Sequence, residues 1–333
     1  MGYVNYILHA CLWAISVSAW VGHPVIAQTC CSGGVPLSGN IGFEGSNRGT
    51  LQMELGYDLN YISILKEEAE VLEDESRLRT TQSILWKTGY SITDWMAIDG
   101  LFTYVVQRRR TTFEDQVNKV QTNGLGDAVV IVKFLLSRIS NNGTELQLGA
   151  GPKIPIGKTE LTDARGITLN ADLQPGSGSW DLVTWGYFAR QLDRRPSMAV
   201  SARLVAKFNG ANYEYLGSQK YRFGNSYQFY SGLGDQVVVG QHLFSISLSM
   251  RYRRAFADRI NNMELDNTGG RWINVIPAIG WNIGPQTILN IIPEIPLFSM
   301  VDGVQLTPTF RIQAGIYHRF SRRNQVQINT DQL

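Results

Sequence analysis

The sequence predicts an all-β protein, a transmembrane antiparallel β-barrel of about twelve strands with both termini on the periplasmic side. Three observations predict it. Period-two alternation of apolar and polar residues recurs along the chain, in runs long enough for the roughly 9–11 tilted residues that cross a bilayer. The connections between these runs alternate between long and short. The chain also opens on an export-type segment, and no later apolar run approaches the roughly 18 residues of a spanning helix.

The clearest run is LFSISLSMRY at 243–252. Phe244, Ile246, Leu248, Met250 and Tyr252 share one parity, and Ser245, Ser247, Ser249 and Arg251 share the other. Successive side chains of a strand point to opposite faces, so this strand has one apolar and one polar face.

Residues 1–27 read as a signal peptide: 6–21 is mostly apolar, and Val25-Ile26-Ala27 offers small-residue cleavage before Gln28. No Lys or Arg precedes the apolar run, which leaves an uncleaved anchor helix as the alternative. A Gly/Pro/Ser-rich periplasmic lead follows over 28–48, then the barrel over 49–320 and a tail over 321–333. Cys30 and Cys31 are adjacent in the lead, and no further Cys follows to complete a thiolate site. A structural or incidental role is expected for them.

The first barrel strand is expected at 50–62, where Leu51, Met53, Leu55, Tyr57, Leu59 and Tyr61 alternate with Gln52, Glu54, Gly56, Asp58 and Asn60. The stretch 66–79 carries six acids, Glu67, Glu68, Glu70, Glu73, Asp74 and Glu75, and reads as a long loop or a short solvated helix. Strands at 80–92 and 95–107 flank the tight Thr93-Asp94, and a polar loop runs from 108 to 123. Strands at 126–139 and 144–156 flank the turn formers at 140–143, and 157–179 is a long loop. Strands at 180–191 and 197–208 follow, then a loop at 209–225 rich in Tyr, Gly and Asn. The strand at 227–239 is broken by Gly232-Leu233-Gly234 and turns at 240–241 into the run at 243–252. After a loop at 257–270 come strands at 271–283, 287–297 and 307–320. Pro277 and Pro293 fall inside two of these and mark either bulges or misplaced strand limits, because Pro lacks a ladder N–H.

Composition agrees. Charged residues are 17%, below the roughly 25% of soluble domains, while aromatics are 11% and Gly numbers 33. The net charge of +2 gives no reason to expect nucleic acid as a partner. The partners expected are outer-membrane lipid and an unspecified small solute. A soluble β-sandwich is the competing fold.

No catalytic, cofactor or metal site is readable. Beyond the signal only His242 and His318 remain, one in a predicted periplasmic turn and one on the lipid-facing parity. No nucleophile–base pair forms around them, so an enzyme is not expected. The chemistry left is that of the lumen. Inward parity collects Glu54, Asp58, Asp99, Asp127, Lys133, Glu145, Lys153, Arg203, Lys207, Arg251, Arg253 and Arg311 as pore-lining candidates, with Glu294 and Arg319 on the same side. The acids fall mostly on early strands and the arginines on late ones. Opposed walls of charge across a bore would orient polar solutes. Alternatively, the groups pair and plug the barrel.

Three segments also resemble a known family: GLGDAVVIVKF at 124–134, GPKIPIGKT at 151–159 and LQPGSGSWDL at 173–182. They resemble the outer-membrane barrels associated with the MetA pathway of phenol degradation. The resemblance covers the middle third of the chain. It implies an outer-membrane barrel that passes small, often hydrophobic or aromatic, compounds, and it supplies no catalytic residues.

The function expected is therefore a passive channel or transporter for small solutes in the bacterial outer membrane. The alternative is a plugged structural or binding barrel whose outer loops engage a partner.

Overall fold

The computed structural model describes residues 28–29, 43, 47–114, 116–139 and 143–321. The expected signal, Cys30 and Cys31, nearly all of the tail and residues 140–142 of one predicted turn lie outside the described residues.

Twelve antiparallel strands form a closed barrel. In chain order they are β1 Leu51–Glu67, β2 Arg77–Ser91, β3 Met96–Phe113, β4 Ala128–Ile139, β5 Thr144–Ile154 and β6 Asp181–Leu192. The second half is β7 Arg195–Asn209, β8 Ser226–Val239, β9 His242–Ala255, β10 Gly270–Gly284, β11 Thr287–Val301 and β12 Val304–Phe320. Each strand pairs with its sequence neighbour, and β12 closes onto β1 with Phe320 opposite Leu51 and Val304 opposite Glu67. Closure leaves the barrel wall without a free edge, which a wall in contact with lipid requires.

Alternation decides which face turns outward. Leu55, Tyr57, Trp86, Phe102, Leu148, Leu204, Phe229, Leu248, Met250, Ile279 and Ile291 are large, apolar and exposed around the outer wall. An apolar surface of this extent is a lipid-facing belt rather than a wet one. Aromatic pairs mark its two rims. Trp95 stacks on Phe134 at 6.1 Å near the short turns, and Tyr61 stacks on Phe310 at 5.3 Å toward the long loops.

Three sequence expectations are corrected, and one open alternative is decided. The polar loop at 108–123 is instead a hairpin: β3 runs on to Phe113 and pairs with the short strand Gln116–Leu125, which satisfies its backbone groups beyond the belt. Of the two readings of the acidic stretch, the helix is not formed: it is a connection in which Glu70–Val71 folds back on β1. The last long-end connection is not long: β11 and β12 are joined through Asp302-Gly303, with Gly303 at φ +76° supplying the left-handed turn. The Gly-broken strand at 227–239 is continuous as β8, paired along its whole length with β9.

Pro277 and Pro293 are retained in the wall. The register Val275↔Ile295 and Ile279↔Ile291 sets them opposite each other across β10 and β11. The two residues without an N–H thus share one gap in the ladder instead of making two.

Candidate functional site: the barrel lumen

The inward face is polar by sequence, and the closed bore buries it. Each buried charge then needs a partner, because an unpaired one costs several kcal/mol (about 3–5). The lumen is accordingly a stack of paired charges around an apolar belt.

At the short-turn end, Lys133 Nζ lies 2.7 Å from Asp99 Oδ2, and Lys87 Nζ lies 3.0 Å from Glu54 Oε1. Phe43, from the segment ahead of the barrel, sits inside this layer. Its N–H donates to Asp99 Oδ2 at 3.0 Å, and its carbonyl accepts from Lys133 Nζ at 2.6 Å. Its ring packs 5.6 Å from that of Tyr317. Gly89 opens the space: a Cβ there would come within 2.6 Å of the Phe43 ring.

The middle layer joins two kinds of group. Leu101, Val129, Ile131, Val183, Trp185, Val205, Tyr230 and Ile276 form one buried apolar cluster drawn from β3, β4, β6, β7, β8 and β10. Beside it runs an ionic chain. Arg311 Nε donates to Asp58 Oδ2 at 2.8 Å, Arg311 Nη1 lies 3.9 Å from Glu294 Oε2, and Glu294 also pairs with Arg251. Gln313 adds a hydrogen bond to Asp58 at 2.7 Å.

At the long-loop end, the loop between β5 and β6 turns inward. Its short 3-10 turn Ala171–Leu173 is buried. Arg79 Nη1 lies 2.8 Å from Asp172 Oδ2, and Thr122 Oγ1 donates to the Leu173 carbonyl at 2.6 Å. The loop is anchored by Lys153, which lies 2.8 Å from both Asp127 Oδ2 and Asp181 Oδ2 and also meets Ser177. Asp127 accepts from the Ser177 N–H at 3.0 Å and the Gly157 N–H at 3.2 Å. Gly157 and Gly176 touch backbone to backbone, where a Cβ on Gly157 would fall 2.6 Å from Gly176 Cα. The three segments singled out in the sequence thus converge on one cluster: Asp127 comes from the first, Lys153 and Gly157 from the second, Gly176, Ser177 and Asp181 from the third.

Each sequence candidate can now be placed. Glu54, Asp58, Asp99, Lys133, Arg251 and Arg311 point inward and pair as described. Asp127 precedes β4 rather than lying on it, and with Lys153 it anchors the loop. Glu145 accepts from Gln147. Lys207 is buried among the long-end groups. Arg253 lies 4.9 Å over the Trp272 ring, and Arg203 lies 5.3 Å over that of Tyr230. The arrangement of two opposed charged walls is not found. β1 and β12 are neighbours through closure, so Asp58 from an early strand and Arg311 from a late one meet directly. Position along the chain is not position across a closed bore.

Sequence reasoning missed Phe43, Arg79, Lys87, Asp172, Ser177, Asp181 and Tyr230. Lys87 was legible, because it shares the inward parity of β2 with Ser83 and Leu85. Asp172 was not, because a loop carries no period. His242 packs edge-on to Trp281 at 5.6 Å, and His318 Nδ1 is 2.7 Å from Thr287 Oγ1.

Between the apolar cluster and the wall of β7 to β12 the lumen keeps a cavity of about 140 Å³. Arg203, Tyr230, Ser247, Ser249, Ile276 and Ile292 line it. Ser245 and Ser247 continue along β9 toward the short turns, and Ser247 is exposed.

No protein-family model and no curated protein matches the chain. Among solved structures, an outer membrane channel from Pseudomonas putida F1 is similar at a TM-score of 0.65 and 14% identity, covering 84% of this chain and 98% of that one. The transport unit of the autotransporter AIDA-I from Escherichia coli gives a TM-score of 0.47 at 10% identity, covering 84% and 93%. The NanC porin gives 0.43 at 8%, covering 80% and 98%. The first of these shows the fold: an outer-membrane-type β-barrel.

Proposed function

We propose that the chain is a bacterial outer-membrane channel for small solutes, with its termini and short turns on the periplasmic side. The observation that carries this reading is the cavity of about 140 Å³ left inside the bore, on the wall where serines lead toward the short-turn end. A barrel packed only for stability fills its interior, whereas this one brackets an internal compartment with paired charges. The resemblance of the three central segments to the phenol-degradation barrels supports small hydrophobic or aromatic compounds as the solutes. The Pseudomonas protein of the same fold is described as a channel, which agrees with this reading. Swelling of liposomes that contain the purified barrel, with solutes of graded size outside, tests it. Swelling that falls off with solute size is expected, and swelling no faster than in protein-free liposomes refutes it.

A second reading is favoured by the apolar cluster and the ion pairs, which fill much of the bore. In that reading the barrel is a closed scaffold whose long loops bind a partner. It predicts no swelling with any solute from protein that is demonstrably folded.

A further inference from the structure

We propose that the outer rim of β8 to β11, at the long-loop end, is a docking site for a lipid whose headgroup carries phosphate. The inference rests on the barrel lying in a membrane and is independent of the channel reading.

Register builds the site. Tyr227, Arg254, Arg271 and Met300 stand side by side across β8, β9, β10 and β11. The neighbouring outward row, toward the short turns, is Phe229, Tyr252, Ile273 and Phe298. Phe229, Tyr252 and Phe298 are exposed on the lipid-facing wall, and alternation gives Arg254 and Arg271 the same outward face. The apolar belt therefore ends here on two guanidiniums, at the level where headgroups meet acyl chains.

The protein itself serves these two arginines poorly. They are directly opposite in the ladder, and like charges so placed repel. Arg271 Nη2 donates to the Met300 sulfur at 2.8 Å, and a thioether is a weak acceptor that returns no charge. Arg254 Nη2 lies 3.7 Å from Asp302 Oδ2, with both side chains partly in solvent, and such a pair contributes little. A phosphate seated between the two guanidiniums replaces repulsion with charge-assisted hydrogen bonds to both forks.

A second arginine pair extends the site beyond the rim. The long loops form a four-stranded sheet of Asn212–Tyr215, Gln219–Arg222, Arg259–Ile260 and Met263–Glu264. In it Arg222 stands opposite Arg259, and both are exposed. An open pocket between this sheet and the barrel is lined by Arg222, Arg259 and Glu264 on one side and by Tyr227 and Phe256 on the other. Arg259 Nη2 lies 2.6 Å from Glu264 Oε1, and Arg222 Nε donates to the Asn209 carbonyl at 2.9 Å. The pocket is continuous with the row at the rim: the Tyr227 and Phe256 rings meet edge-on at 6.0 Å, and Arg254 Cζ lies 5.5 Å from the Phe256 ring. Four guanidiniums thus share one patch with two carboxylates, Glu264 and Asp302, and the patch is left positive.

The occupant follows from what the two rows offer together. A free anion would use the guanidiniums and none of the apolar wall. An uncharged lipid would use the wall and leave the arginines opposed. The row through Tyr252 and Ile273 belongs to the lipid belt, out of reach of a partner that arrives through water. A phosphorylated headgroup with its chains laid along that row meets both.

Bisphosphorylated lipid A is the probe, with phosphatidylethanolamine as a lipid of no net charge and inorganic phosphate as the anion without chains. Native mass spectrometry of the full-length barrel released from detergent should show saturable lipid A binding, at least ten-fold tighter than phosphatidylethanolamine. Arg254→Gln combined with Arg271→Gln should weaken lipid A at least ten-fold. Arg190→Gln combined with Arg194→Gln removes the same charge from exposed positions at the short-turn end and should leave binding unchanged. Heat-shifted gel mobility confirms that each variant is folded. Arg222→Gln combined with Arg259→Gln, which should also weaken lipid A, takes the place of the first pair if that pair fails to fold. Lipid A bound no tighter than phosphatidylethanolamine, or weakened equally by both rim pairs, overturns the site. Displacement of lipid A by an equal concentration of inorganic phosphate means that the patch reads a free anion, and overturns the lipid as its occupant.

Discussion

The ammonium of Lys153 lies 2.8 Å from Asp127 Oδ2, and both side chains are sealed from solvent. This pair, with Asp181 and Ser177, ties the inward-folded loop to the ends of β4, β5 and β6. Removing one partner of a buried pair leaves an uncompensated charge, at a cost of about 3–5 kcal/mol. Lys153→Met leaves two carboxylates facing each other and should lower the unfolding midpoint in urea by a corresponding amount. If the midpoint is unchanged, the cluster does not anchor the loop.

Backbone contact between Gly157 and Gly176 makes the same loop sensitive to a single methyl group. A Cβ at Gly176 would lie 2.7 Å from Gly157 Cα, with backbone on both sides and no flexible side chain to yield. Gly176→Ala should force the loop outward at a cost of about 1–3 kcal/mol, typical of overpacking. Faster proteolysis within 158–178, with the barrel core still resistant, is the expected sign. Identical proteolysis of variant and parent would contradict the contact.

Phe43 fills the short-turn end through backbone hydrogen bonds and a ring contact with Tyr317. Phe43→Ala removes the ring and leaves the Asp99–Lys133 pair in place. The open current through the barrel should rise, with stability falling by less than for Lys153→Met. An unchanged current would mean that Phe43 does not narrow the path.

Much of this was legible in the sequence. Alternation at 51–61, 126–139, 243–252 and 307–320 gave the strands, their lipid faces and the inward parity of Asp58, Lys133 and Arg311. A strand period reports which face a residue takes, and it does not say which residue stands beside it. That is why Asp58 and Arg311, 253 positions apart, read as opposing walls when closure makes them neighbours. The hairpin at Gln116–Leu125 and the inward loop were missed for a related reason. Polar residues extend a strand or fold into a mouth without any hydrophobic period to announce it.

Asp163, at the tip of the inward loop, gives a pH test. Its carboxyl is held below its usual range by the N–H of Ile167, with further help from the N–H and guanidinium of Arg165, against a smaller opposing effect of burial. A depressed acid contributes stability that is present above its ordinary pKa, about 3.9, and is lost as pH falls through the folded value. The amides of Ile167 and Arg165 should therefore exchange slowly at pH 6 and lose protection, after correction for intrinsic rates, below about pH 4. Asp163→Ala should abolish the pH dependence. Protection that stays constant from pH 6 to pH 3 would contradict this account.

The central claim is that the lumen conducts past its paired charges. Single-channel recording of the purified barrel in a planar bilayer, under a salt gradient, tests it most directly. Discrete small steps, with a reversal potential displaced from zero by the buried charges, are the predicted result. A silent bilayer from protein whose gel mobility shifts on heating, and so is folded, would contradict it.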